Sequence, residues 1–144
     1  MTRVDFYVLA DASSTARLDF VCTLAEKACG QANKVFVYSS DRKLLQEIDD
    51  RLWDFRALSF VAHRLLPDAH IPGTQDNDPV LLSSDGPGND RNVLVNLDSA
   101  VPPFFSRFVR TLEVVNKEPD IQQTGRERYR FYKTRGYPLQ HHNV

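Results

Sequence analysis

Cysteine is almost missing from this chain: Cys22 and Cys29 are the only two in 144 residues. They lie seven positions apart in a stretch that reads as helix, which suits buried thiols in a reducing compartment and not a disulfide framework. An excess of one charge is missing too. Eighteen Lys and Arg face nineteen Asp and Glu, so the chain lacks the bulk positive charge of a protein that coats nucleic acid, and any electrostatic partner must meet a local patch. No run approaches the roughly 18 apolar residues of a membrane span, and Met1 to Leu9 lacks the basic start of a signal peptide. The expected setting is the cytoplasm.

Glycine is sparse where a nucleotide enzyme would need it. The turn after the first apolar run is Asp11-Ala12-Ser13-Ser14-Thr15, without a glycine to let backbone N–H groups approach phosphates. Gly86-Pro87-Gly88 precedes a strand and has no Lys-Ser/Thr after it. The four histidines His63, His70, His141 and His142 assemble no metal-ligand spacing, and no serine sits in a nucleophile elbow. No cofactor, metal or catalytic constellation is expected, and Asp98, at the end of the apolar run NVLVNLD, reads as a turn residue.

What is present alternates between strand and helix. Val4 to Ala10 is rich in β-branched and aromatic residues and reads as a buried strand. From Ala16 to Ala32 the apolar residues Leu18, Val21, Cys22, Ala25, Ala28 and Cys29 recur at helical steps. Lys34 to Tyr38 is a second strand, making a strand-helix-strand unit with room for a right-handed parallel crossover. Asp41 caps a helix carrying Leu44, Leu45, Ile48 and Leu52. Residues 56–79 read as mixed loop, Pro79–Leu82 and Asn92–Leu97 as short apolar runs around an exposed loop, and Arg110–Asn116 as a strand. Gln122–Arg135 reads as a basic helix stopped by Gly136 and Pro138. The pattern predicts an α/β domain over 1–138, three-layered and Rossmann-like, its mostly parallel sheet flanked by helices, with 139–144 as a loose tail.

Two groups of residues stand out. Arg126 to Arg135 (RERYRFYKTR) holds five basic residues and one acid in ten positions. On a helix Arg126, Arg130 and Lys133 share a face bordered by Tyr129 and Tyr132. This is either a solvated face or a docking groove for an acidic peptide or a nucleic-acid strand, since guanidinium forks bind carboxylates and phosphates. Leu52 to Val61 (LWDFRALSFV) carries Trp53, Phe55 and Phe60, which are either core anchors or a hydrophobic protein-binding surface.

These residues resemble the chi subunit (HolC) family of bacterial DNA polymerase III holoenzyme. The likeness runs from Phe6-Tyr7-Val8-Leu9, through Leu52-Trp53 and Ser59-Phe60-Val61-Ala62-His63, to Arg126-Glu127-Arg128-Tyr129-Arg130 and Arg135-Gly136-Tyr137. It departs from the family in Ala62, where a proline would stand, in Arg130, which replaces a lysine, and in a shortened stretch between Glu113 and Arg126. The resemblance implies a non-enzymatic α/β adaptor in DNA replication with two partners. The acidic, phenylalanine-terminated tail of the single-stranded DNA-binding protein would meet Arg126, Tyr129 and Arg130. The psi subunit of the clamp loader would meet Trp53 and Phe60. A helicase-related repair protein is a further partner in some members. The rival reading is a nucleic-acid-binding module that uses the basic helix directly on phosphates, which the net charge of -1 opposes; tight direct binding of nucleic acid is therefore not expected.

Overall fold

The computed structural model describes residues 1–54, 63–67, 78–87 and 91–144. Seven strands, β1 (Arg3–Val8), β2 (Val35–Tyr38), β3 (His63–Leu65), β4 (Val80–Ser83), β5 (Val93–Asn96), β6 (Arg110–Val115) and β7 (Leu139–Asn143), alternate with α1 (Ser14–Gly30), α2 (Arg42–Asp54) and α3 (Pro119–Thr134). A 3-10 turn at Phe105–Arg107 precedes β6. The strands form one sheet in the order β3-β4-β2-β5-β6-β1-β7, and every neighbouring pair is parallel. The architecture is a three-layer, Rossmann-like α/β fold.

Local chemistry sets the helix ends. Ser13 Oγ accepts from Ala16 N (3.3 Å) at the start of α1, and Asp41 Oδ1 accepts from Lys43 N (3.0 Å) and Leu44 N (3.3 Å) at the start of α2; each satisfies a donor the first turn leaves free. The basic helix starts earlier than its charge pattern suggests, because Pro119 occupies its first turn and Glu118 Oε2 accepts from Ile121 N (3.0 Å). It stops at Gly136, whose φ of 79° a residue with a Cβ adopts only with strain.

The period-2 alternation of the strands divides the core in two. Val35, Val37, Val93, Val95, Leu112 and Val114 pack with the buried faces of α1 and α2. Val4, Phe6, Phe36, Leu94, Phe105, Phe108 and Tyr132 form an aromatic-rich core beneath α3.

The crossover from β1 to β2 passes over two strands, since β5 and β6 lie between them. Two expectations change. The mixed loop over 56–79 contains β3, three residues at the sheet's edge and too short to carry a periodic signal. Residues 139–143, read as a loose tail, are β7, paired with β1 from Val4↔Leu139 to Val8↔Asn143. A polar run with two histidines carries no strand signal of its own. Tertiary contacts hold it instead: Leu139 packs on the aromatic core, the His142 ring stacks on Tyr7 at 4.8 Å, and His142 Nε2 lies 3.1 Å from Asp5 Oδ1.

Candidate functional site: a cationic groove beside the C-terminal helix

β1 and β6 are neighbours, yet the helix that follows β1 packs on one face of the sheet and the helix that follows β6 on the other. In open parallel sheets such a divergence leaves a crevice at the carboxyl ends of the strands, where ligands bind. Here α3 packs over β6 and reaches Phe6 of β1 through Tyr129 and Tyr132. The result is a groove of about 370 Å³ lined by Phe6, Val8, Val115, Asn116, Lys117, Gln122, Gly125, Arg126, Tyr129 and His141. Strand register explains the floor: Phe6 lies opposite His141, and Val8 lies opposite Val115, so all four share the α3 side. Tyr129 stands edge-on to Phe6, ring centroids 5.2 Å apart, and forms an apolar wall.

The arginines of α3 divide sharply in environment. Arg128 is buried: Nε donates to Glu113 Oε1 (2.9 Å) and Nη1 to the Ser99 carbonyl (3.0 Å). Glu113 Oε2 accepts from Tyr132 OH (2.8 Å) and Asn96 Nδ2 (3.0 Å). Burial and the adjacent Glu113 carboxylate push the Tyr132 hydroxyl well above its ordinary range, so it stays a donor. Arg17 comes from the opposite face, its Nε donating to the Val114 carbonyl (3.0 Å); burial, then the nearby Arg128 charge, lowers it to about 10. This network fixes the rotation of α3, which turns Arg126 and Tyr129 toward the groove. Gly125 permits the close approach: a Cβ there would stand 2.8 Å from Val115 Cγ1.

Of the residues singled out in the sequence, Arg126 and Tyr129 line the groove, while Arg130 is exposed one turn further along α3 and is not among the lining residues. Tyr132, expected at the border of the basic face, is fully buried. Arg135 covers the Phe131 ring, 3.9 Å from its centroid. Lys117, Gln122 and His141 were missed as groove residues. Lys117 lies on the loop just before α3, and His141 on an edge strand that only tertiary structure brings to α3. Gln122 falls outside the basic run. Among the described residues Lys117, Arg126 and Arg130 make no ion pair or side-chain hydrogen bond.

In the aromatic group, Trp53 is 60% exposed at the end of α2, with its ring edge-on to His63 at 4.8 Å; Phe60 lies outside the described residues. Asp98 serves as a turn residue, its Oδ1 accepting from Ser40 N (3.2 Å) and Ser40 Oγ (2.6 Å). Among the described residues no group of three or more His, Cys, Asp or Glu could hold a metal ion, and no helix is long and apolar enough to cross a membrane.

Fold and groove together define a Rossmann-like scaffold that carries a cationic, apolar-floored cleft beside its C-terminal helix and has no glycine in the turn after β1. The chain belongs to the family of DNA polymerase III chi subunits, HolC, whose family model matches residues 1–140. It is 43% identical to the DNA polymerase III subunit chi of Pseudomonas aeruginosa over 145 residues, covering 100% of this chain and 98% of the relative. The chi subunit of Haemophilus influenzae is 30% identical, with 96% and 95% covered, and that of Escherichia coli 26% identical, with 96% of each covered. The chain is thus of the accessory-subunit type, which fits a non-catalytic role.

Proposed function

We propose that the chain is a non-catalytic adaptor of the DNA polymerase III holoenzyme, working in the cytoplasm. It links the clamp loader, through psi, to the acidic C-terminal tail of the single-stranded DNA-binding protein during replication. The observation that carries this reading is the groove, which offers an apolar floor and Tyr129 to one ring and unpaired cations on its rim to carboxylates. An acidic tail ending in phenylalanine supplies both, and charge-assisted hydrogen bonds contribute roughly 1.5 to 3 kcal/mol each. Arg126 and Tyr129 act inside the groove and Arg130 on the exposed helix beyond it. Trp53 and Phe60 form the psi-facing surface; a large exposed ring is a common binding hot spot. A helicase-related repair protein is a further partner for the same kind of surface.

Titration calorimetry with a synthetic acidic tail peptide tests this. The peptide should bind, lose most of its affinity when the terminal phenylalanine is removed, and weaken as salt rises while keeping an apolar remainder. Arg126→Glu and Arg130→Glu should each weaken binding, Arg126→Glu more, and Tyr129→Ala should remove the preference for phenylalanine. Naked single-stranded DNA should bind weakly. Tight DNA binding that vanished in Arg130→Glu, with peptide binding unchanged, would establish direct nucleic-acid binding instead.

A further inference from the structure

A second, smaller cavity of about 150 Å³ shares no lining residue with the groove. Arg17 enters it from the first turn of α1, Asp98 from the end of β5, and Asp120 from the first turn of α3. Its walls thus follow β1, β5 and β6, at the carboxyl ends where open parallel sheets hold ligands. The cavity presents a buried cation without a counter-ion. Arg17 is 7% exposed; its Nε donates to the Val114 carbonyl (3.0 Å), and among the described residues it makes no other hydrogen bond and no ion pair. Its Nη nitrogens are not among the unpartnered atoms sealed from solvent, so they open onto the cavity. The carboxylates that attract it are engaged elsewhere: Glu113 accepts from Arg128, Tyr132 and Asn96, and Glu118 caps Ile121 N. Arg128, which also lines the cavity, repels it. A guanidinium so placed costs stability unless an anion reaches it.

We infer that this cavity binds free hydrogenphosphate, whose oxygens accept from the Arg17 Nη donors and whose O–H donates to the Asp120 carboxylate. The volume is below the roughly 300 Å³ at which sites for larger ligands begin, so it suits one small group. The two acids on the lining decide which anion. Asp98 Oδ1 is held by Ser40 N and Oγ, whereas the Asp120 side chain accepts no hydrogen bond among the described residues. An anion without a proton meets only repulsion there; one that carries an O–H donates it. Inorganic phosphate keeps at least one O–H at neutral pH and sulfate keeps none. A phosphate monoester, with a second pKa of about 6, has largely lost its own. The amino end of α3 adds a field that favours the anion. This site is independent of the tail-binding reading of the groove.

The test titrates the full chain in a calorimeter with sodium phosphate, sodium sulfate and methyl phosphate at neutral pH and matched ionic strength, beside thermal melts in each salt. Sulfate should bind about tenfold more weakly than phosphate, the loss of one charge-assisted bond, and methyl phosphate should also bind more weakly. Phosphate should raise the melting temperature more than sulfate, which controls for the stabilisation both salts give through exclusion from the surface. Asp120→Asn, at an exposed position, should keep the fold and lose most of the preference for phosphate over sulfate. Arg17→Met should abolish phosphate binding. Should that variant not fold, Ser99→Glu, exposed and on the lining, places a fixed anion in the cavity and should abolish binding in a folded chain. No phosphate binding to the parent, equal affinity for sulfate, or phosphate binding that survives in Ser99→Glu would overturn the inference. Methyl phosphate bound as tightly as phosphate would assign the site to an ester and overturn the choice of free phosphate.

Discussion

Arg128 reaches under α3 to donate its Nε to Glu113 Oε1 at 2.9 Å, and both side chains are buried. With Tyr132 and Asn96 on the second oxygen, that buried carboxylate accepts three hydrogen bonds. Breaking such a pair from one side leaves a buried charge uncompensated. Glu113→Ala should therefore cost about 3 to 5 kcal/mol of stability in urea unfolding, whereas Glu113→Leu combined with Arg128→Met should recover most of the loss. If the double variant proved no better than Glu113→Ala, the cost would lie in packing and not in the orphaned guanidinium.

Trp53 protrudes from the end of α2, with its ring edge-on to His63. Its replacement by alanine should change stability by no more than about 1 kcal/mol while weakening psi binding by about 2 kcal/mol or more. Phe60→Ala should weaken psi binding likewise. Calorimetric titration with psi, set beside thermal melts, separates the two effects, and unchanged psi affinity in both variants would remove the proposed surface.

The edge strand gives a pH signature. Burial by itself would raise the Asp5 carboxyl, but hydrogen bonds from His142 and Arg110 and the charges of Arg110 and Arg3 outweigh it and hold the group below its ordinary value. A carboxyl lowered in the folded state stabilises the fold above its unfolded value of about 3.9, and that contribution disappears as pH falls through the folded value. Asp5→Asn should therefore be less stable than the parent near neutral pH, with the gap closing below about pH 4. A gap that stayed constant into acid would mean that the ionised carboxylate contributes nothing.

Neither thiol should react readily in the native protein. Burial, then the Asp19 charge, pushes Cys22 up to about 11, and burial raises Cys29 as well. Little thiolate exists near neutral pH under those conditions. Labelling by a disulfide-exchange reagent should be slow in buffer and fast in denaturant, with Cys22 reacting only as the fold opens. Rapid native labelling of Cys22 would contradict its placement on the buried face of α1.

Where a segment's own pattern decides its structure, the sequence was legible. β1, β2, α1 and α2 follow from apolar runs and helical spacing, and the cap at Asp41 from a side-chain oxygen in the expected place. β7 was illegible because Leu139-Gln140-His141-His142-Asn143 has neither alternation nor β-branched residues; its pairing depends on β1, more than a hundred positions earlier. The candidate site shows the same division. Arg126 and Tyr129 could be picked out from a local run of basic and aromatic residues, but that run also holds Arg128 and Tyr132, which serve the interior. Only the phase of α3, set by a glutamate on β6, separates the two sets.

The placement of β1 also has a bearing on how the chain is made. β1 acquires its neighbours from residues 110–115 and 139–143, so it has no partner in the sheet until residues 110–115 have been translated. Contacts so distant in sequence are slow to form, and in the interval both edges of an apolar strand stand open to other chains. The acidic Asp5 and the cationic Arg3 that punctuate β1 then act as gatekeepers during biogenesis before Arg110 and His142 arrive to enclose that carboxylate.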